Sequence, residues 1–150
     1  MDKRDFTTTI SVDRTPAEAF SLINDVRGWW SGQIDGTTDT VGAEFRYRHG
    51  DVHDTTQKIT ELVPGKRIVW HVTKSRLTFV RTQDEWTGTD IVFELTQTKD
   101  GTDVRFTHVG LRPEVECYDG CKRGWTFYIE KALKSFLTAA AKNEAVAANV

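Results

Sequence analysis

The chain has 150 residues and a formal net charge of −2 at neutral pH. That length points to one domain with a core of its own, and the weak charge excludes the strongly basic face of a nucleic-acid or anionic-membrane binder. No apolar run approaches the ~20 residues that span a bilayer, and the opening MDKRDFTTTI has no apolar signal-peptide core, so a cytoplasmic protein is expected.

In chain order, residues 1–4 read as a polar tail. Residues 6–12 alternate, with Phe6, Thr8, Ile10 and Val12 on one face, which predicts a half-buried strand. Thr15-Pro16-Ala17-Glu18 is a capping box with proline at the first helical position. Ala19, Phe20, Leu22 and Ile23 continue it as a short amphipathic helix that ends near Asn24-Asp25. One further turn is expected through Trp29 and Trp30, punctuated by Gly28 and Gly32. Of the paired tryptophans, one is expected in the core and the other at a cavity mouth.

From residue 33 to 111 the pattern is strands joined by turns. Strands are expected at 43–49, 51–62 (with Ile59 its clearest core residue), 67–73, 77–80, 90–98 and 102–109. Val63-Pro64-Gly65-Lys66 and Lys99-Asp100-Gly101 are turns, and residues 86–89 a loop. Residues 113–142 carry a helical period. Cys121, Trp125, Tyr128, Ile129, Ala132, Leu133, Phe136, Leu137 and Ala140 form one stripe, with Lys122, Arg123, Glu130, Lys131, Lys134 and Lys142 mostly opposite. The helix is expected to begin at Pro113, and residues 143–150 read as a frayed tail. The domain expectation is therefore 1–150 with a core at 6–141. The order is a strand, short helices, about six strands joined by hairpins, and one long helix, which makes an antiparallel sheet whose apolar face that helix covers.

The candidate site follows from the same periodicities. Alternation puts His108 on the face of Val104 and Phe106, directed at the helix near Tyr118, Cys121 and Trp125. Histidine titrates near neutral pH, so His108 is a hydrogen-bonded core residue, a group that orients a ligand or moves a proton, or, least favoured, a metal ligand. Trp70, Phe93 and Phe106 share the apolar sheet face. Five tryptophans and eight phenylalanines exceed what a minimal core needs and favour a lined pocket. The ligand-binding set expected is Trp70, Phe93, Phe106, His108, Tyr118, Cys121 and Trp125. Cys117 and Cys121 lie one helical turn apart, a poor geometry for a disulfide, and are expected as reduced thiols with Cys117 the more reactive. His49, His53 and His71 fall on different strands without zinc-site spacing, so no metal is assigned. There is no phosphate loop, nucleophile elbow or dinucleotide fingerprint, so no cofactor and no catalytic residue is assigned.

Several short words carry a family resemblance, from Thr8 to about Leu137. They are Ile10-Ser11-Val12-Asp13 with Thr15-Pro16 and Phe20, Arg27-Gly28-Trp29-Trp30, Glu61-Leu62-Val63-Pro64, Ile68-Val69-Trp70, and Phe106-Thr107-His108-Val109-Gly110-Leu111. Together they resemble the activator of heat-shock protein 90 ATPase homologues, within the START-like (SRPBCC, Bet v-like) superfamily. The resemblance implies an α+β helix-grip fold, a curved antiparallel sheet of six or seven strands around a long C-terminal helix with a cavity between them. It also implies a range of functions: carriage of a small apolar or aromatic ligand, a co-chaperone interaction with a chaperone partner, or an aromatic cyclase activity. The ligand-binding reading leads, and the enzyme reading is the least favoured.

Overall fold

The computed structural model describes residues 5–138. The frayed-end expectations at 1–4 and 143–150, and the helix positions Ala140 and Lys142, lie outside them. Seven antiparallel strands form a single sheet. They are β1 (Phe6–Val12), β2 (Gln33–Gly36), β3 (Glu44–His49), β4 (His53–Val63), β5 (Arg67–Leu77), β6 (Asp90–Gln97) and β7 (Thr102–Val109), in spatial order β1-β7-β6-β5-β4-β3-β2. All neighbours but β1 and β7 are consecutive in sequence, as hairpin connections require. The fold is α+β, a curved sheet with a C-terminal helix on its inner face. Two register shifts in the β4–β5 ladder, at Thr56/Gln57 and Ile59/Glu61, bend its two longest strands.

Helix α1 (Pro16–Asn24) starts on the capping box read in the sequence. Thr15 Oγ1 accepts the Glu18 N–H at 3.2 Å, and Glu18 Oε1 accepts the Thr15 N–H at 3.1 Å. A 3₁₀ turn (Val26–Gly28) follows and delivers Trp29 and Trp30 inward.

The long helix begins at Tyr118, not at Pro113. Residues 113–117 are tight turns in which Val115 and Tyr118 donate to the carbonyls of Arg112 and Val115, three residues back. The i−4 pattern starts with the Cys121 N–H to Cys117 C=O bond at 2.8 Å. The N–H groups of Glu116 and Cys117 are held by Glu85, from the β5–β6 loop, at 2.8 and 2.9 Å. A carboxylate from far along the chain thus holds the N-cap N–H of Cys117 and the one before it, where no local side chain caps the helix.

Helix α2 (Tyr118–Phe127) runs into a π-helical segment (Tyr128–Leu133) and then helix again to 138. The Lys134 N–H bonds Ile129 C=O, five residues back. Cys117, Cys121, Trp125, Ile129, Leu133 and Leu137 are all buried at every fourth position. In a regular α-helix such a series drifts by about 40° per step, so five steps would carry it off the core face. The widened π turn takes up part of that drift and keeps the stripe on the sheet. The sheet grips the helix through polar contacts too: Thr8 donates to Glu130 at 2.8 Å, and Arg14 Nε donates to the Leu137 carbonyl at 3.2 Å.

Two further expectations change. Residues 77–80 are no separate strand, because β5 runs unbroken to Leu77, paired with His53. In β4 the inward face is Thr55, Gln57 and Ile59, all fully buried, so two polar residues share the place expected of Ile59 alone. Gln57 donates to Thr55, whose hydroxyl also bonds His53 Nε2 at 3.1 Å, which satisfies part of this buried polar face and leaves the Gln57 oxygen without a partner among the described residues.

Candidate functional site

All five tryptophans meet in one aromatic cluster between sheet and helix. Trp29 lies at the core side, its indole N–H bonded to the Ile23 carbonyl at 2.9 Å. Trp30 stacks on Trp70 at 6.0 Å and on Tyr47 at 3.8 Å, and it faces a cavity. The pair therefore divides between core and cavity, because the chain turns after Gly28 and sends successive side chains to different depths.

The cavity has a volume of about 290 Å³ and is lined by Trp30, Tyr47, His49, Val52, His53, Phe79, Trp86, Gly120, Cys121, Gly124, Trp125 and Tyr128. Four parts of the chain build it, the first being the segment after the 3₁₀ turn, which supplies Trp30. Strands β3 and β4 and their turn supply Tyr47, His49, Val52 and His53, and the β5–β6 loop supplies Phe79 and Trp86. The C-terminal helix supplies one face from Gly120 to Tyr128. Phe79 and Val52, both about half exposed, mark its mouth. The two glycines make the space: a methyl on Gly124 would meet nothing within 4 Å, and one on Gly120 would meet only the Phe79 ring, at 3.4 Å. No lysine, arginine, aspartate or glutamate is among the lining residues.

The β5–β6 loop is clasped to the helix start by two carboxylates. Glu85 holds the N–H groups of Glu116 and Cys117, and Glu116 in turn holds those of Arg81 and Thr82, both at 3.0 Å. Those bonds to backbone N–H groups keep the Glu116 carboxyl below its ordinary pKa. The clasp seats Trp86 against Trp125, parallel at 5.6 Å. Trp86 also donates its indole N–H to Cys121 Sγ at 3.3 Å.

His53 is enclosed edge-on by Trp30, Tyr47 and Trp86, with ring centroids at 6.1, 4.9 and 4.8 Å. Burial lowers its pKa to about 4, so it is neutral at pH 7. On the opposite side of the cavity, Tyr128 shares a 2.6 Å hydrogen bond with Ser31, and the Tyr47 hydroxyl reaches the Tyr128 oxygen at 3.5 Å. Burial pushes the Tyr47 pKa far up, which keeps this phenol protonated at any working pH.

The seven residues expected from the sequence divide. Cys121 and Trp125 line the cavity. Trp70, Phe93 and Phe106 are fully buried behind it and do not line it, because the sheet curves enough that its centre packs directly on Trp29, Trp30 and Trp125. His108 is also fully buried behind the wall, with both ring nitrogens in hydrogen bonds. Tyr118 lies beside the site, half-buried under Lys122, whose Nζ is 5.8 Å from its ring centre. The residues that sequence reasoning missed as lining are chiefly Tyr47, His53, Phe79, Trp86, Gly120 and Gly124. Two signals were there to find: a tryptophan in a polar loop, and two glycines four apart inside a helical stripe.

Cys117 is 1% exposed and Cys121 7%, the reverse of the order in which they were expected to be open to reagents. Both thiols are free. The hydrogen bond Cys121 makes to Cys117, together with burial, raises the Cys121 pKa and keeps it protonated. Among the described residues, no group of three His, Cys, Asp or Glu side chains is placed to hold a metal ion. Nor is any helix among them long and apolar enough to cross a membrane.

Known proteins share this architecture. The Aha1 dimer from Colwellia psychrerythraea superposes with a TM-score of 0.73 at 23% identity, covering 89% of this chain and 96% of that one. A protein from Mesorhizobium loti gives 0.72 at 20%, covering 91% and 98%. One from Staphylococcus saprophyticus gives 0.65 at 20%, covering 92% of each. At these identities the likeness establishes the fold. No curated protein matches the sequence. The sequence profile of the family described as Activator of Hsp90 ATPase homolog 1-like protein matches residues 18–138, most of the chain, and the chain belongs to that family.

Proposed function

We propose that the protein binds a small apolar or aromatic molecule in the cavity between its sheet and its C-terminal helix. The observation that supports this most directly is the wall: six aromatic side chains around about 290 Å³, with two helical glycines among them and no lysine, arginine, aspartate or glutamate. Glycine inside a helix costs about 1 kcal/mol relative to alanine, so Gly124, where a methyl would meet nothing, weakens the helix and keeps space in the cavity. The volume suits a ligand of two or three rings better than a long lipid chain. Trp30, Trp86 and Trp125 make the contact surface, with Cys121 beside them. Trp70, Phe93, Phe106 and His108 act from behind by fixing the rings in front of them.

Tryptophan emission tests it. A panel of flavonoids, fatty acids and environment-sensitive dyes is titrated into the protein and into Gly124→Leu, which fills the cavity. Saturable quenching in the wild type that is lost in the variant is the expected result. The reading fails if nothing saturates below about 1 mM, which is only about 4 kcal/mol of binding.

A second reading comes from the family description and from two exposed aromatics, Phe79 (50%) and Phe127 (56%). Such residues serve a protein–protein contact with a chaperone of the heat-shock protein 90 type. Pull-down with that chaperone, compared between the wild type and Phe79→Ser/Phe127→Ser, tests it. Capture that is equal for both proteins, or absent from both, removes this reading.

A further inference from the structure

We propose that the hydroxyls of Tyr47 and Tyr128 form an oxygen-recognition point in the cavity, so that its ligand is an uncharged ring compound carrying one hydroxyl or carbonyl oxygen; this rests on the ligand-binding reading above. Tyr47 is 2% exposed and stacked on Trp30 at 3.8 Å, so its ring is held in place. Its hydroxyl reaches the Tyr128 oxygen at 3.5 Å, the outer limit of a hydrogen bond. Ser31 also acts on the Tyr47 oxygen, but as a donor this buried phenol has, among the described residues, only the long bond to Tyr128, and buried donors are ordinarily better satisfied than this.

Tyr128 is differently placed. It stands where the π-helical segment begins, and its hydroxyl is anchored from the partly open side by Ser31 at 2.6 Å. With Tyr128 so anchored, the pair offers the cavity one phenolic donor from Tyr47 and further hydrogen-bonding capacity on the Tyr128 oxygen. A ligand oxygen lodged beside them replaces one long bond with shorter ones. A hydroxyl or a carbonyl oxygen does this.

A carboxylate does not fit as well. It would leave water for a wall with no lysine or arginine, whose inner histidine, His53, is held neutral by burial and whose other histidine, His49, is exposed. An ion buried without a partner is strongly disfavoured. The same wall accepts a plain hydrocarbon but leaves the Tyr47 donor as poorly satisfied as before. The expected order is therefore neutral oxygenated ring, then hydrocarbon, then carboxylate.

Equilibrium dialysis at pH 7 with 2-naphthol, naphthalene and 2-naphthoate, three probes on one ring system, tests this directly. Wild-type protein is expected to bind 2-naphthol about three- to tenfold more tightly than naphthalene, the range of one net hydrogen bond. It should bind 2-naphthoate more weakly than either. In Tyr47→Phe, which keeps the ring and its stacking, the naphthol advantage is expected to vanish with naphthalene binding unchanged. Tyr128→Phe is expected to reduce it. Naphthalene and 2-naphthol binding equally to the wild type overturns the oxygen point alone and leaves the cavity reading standing. So does an advantage that persists in Tyr47→Phe/Tyr128→Phe, or tightest binding by 2-naphthoate. No binding by any probe overturns the cavity reading and this proposal with it. The wild-type order of affinities decides even if a variant fails to fold.

Discussion

Trp125 donates its indole N–H to His108 Nδ1 at 3.0 Å, and that bond decides which nitrogen of His108 carries the proton. An indole nitrogen only donates, so Nδ1 must accept and the proton sits on Nε2. Nε2–H then donates to Thr89 Oγ1 at 2.8 Å, and the Thr89 hydroxyl donates onward to the Trp86 carbonyl at 2.6 Å. A single directed chain therefore runs from the helix, through the last strand, to the loop that carries Trp86. It fixes the two tryptophans that flank the cavity, and it leaves His108 with no nitrogen free for a ligand.

Protonating His108 breaks this chain, because its Nδ1–H would then face the Trp125 N–H. Burial holds its pKa down at about 3, and that of His53 at about 4, against an ordinary 6.5. Below about pH 6.5 the unfolded chain takes up protons that the native protein refuses, so stability falls as pH falls. In urea melts the loss is expected to start between pH 6.5 and 5, with a slope of up to about 1.4 kcal/mol per pH unit for each histidine. The carboxyls of Glu18, Asp54 and Glu116, also held low, add to it only in more acid solution. His108→Gln should flatten the slope; an unchanged slope in both His108→Gln and His53→Gln would show that neither histidine is buried neutral.

Accessibility predicts the order of thiol modification. Cys121 borders the cavity, whereas Cys117 is sealed behind Glu85 and the helix start. A small uncharged reagent, methyl methanethiosulfonate, is expected to modify Cys121 first and slowly, since its pKa is raised. Gly124→Leu should slow it further. Peptide mapping by mass spectrometry reads the order, and earlier modification of Cys117 would contradict this arrangement.

Two glycine-to-alanine substitutions should act in opposite directions. At Gly124 the added methyl enters empty space, so the helix gains about 1 kcal/mol and the melting temperature rises. At Gly101, in the β6–β7 turn, the methyl would overlap the carbonyl oxygen of Val12 and the backbone must move. A loss of about 1–3 kcal/mol is expected there. Thermal melts of both variants test the pair, and a destabilised Gly124→Ala would mean that the cavity is narrower than described.

The faces of the helix differ in the same way. Leu133 is fully buried, and Leu133→Ala should cost about 2–5 kcal/mol. Phe136 is half-buried against Gly28, so Phe136→Ala should cost less than Leu133→Ala. Lys134 is exposed, and Lys134→Ala should stay within about 0.5 kcal/mol. Equal shifts in urea melts would reject the assigned face.

Local chemistry by itself determined much of this protein. The capping box at Thr15–Glu18, the alternation in β1, β6 and β7, the turn at Gly101 and the fourfold stripe on the helix all depend on residues close in sequence, so they were legible there. The family words added the grip of sheet on helix. Local reading failed wherever a distant partner decides. The start of the helix depends on Glu85, a loop residue 32 positions before Cys117. The polar face of β4 depends on bonds that Thr55 makes to both Gln57 Nε2 and His53 Nε2, while the Gln57 oxygen stays buried without a partner among the described residues. His108 and Phe106 were placed on the correct face, but alternation gives a direction and not a depth. Only the curvature of the sheet put Trp70, Phe93 and Phe106 behind the wall and brought Tyr47, Trp86 and Tyr128 in front of it. The cavity exists because four separate segments converge around two missing side chains at Gly120 and Gly124, and a space is a property of packing that no single segment encodes.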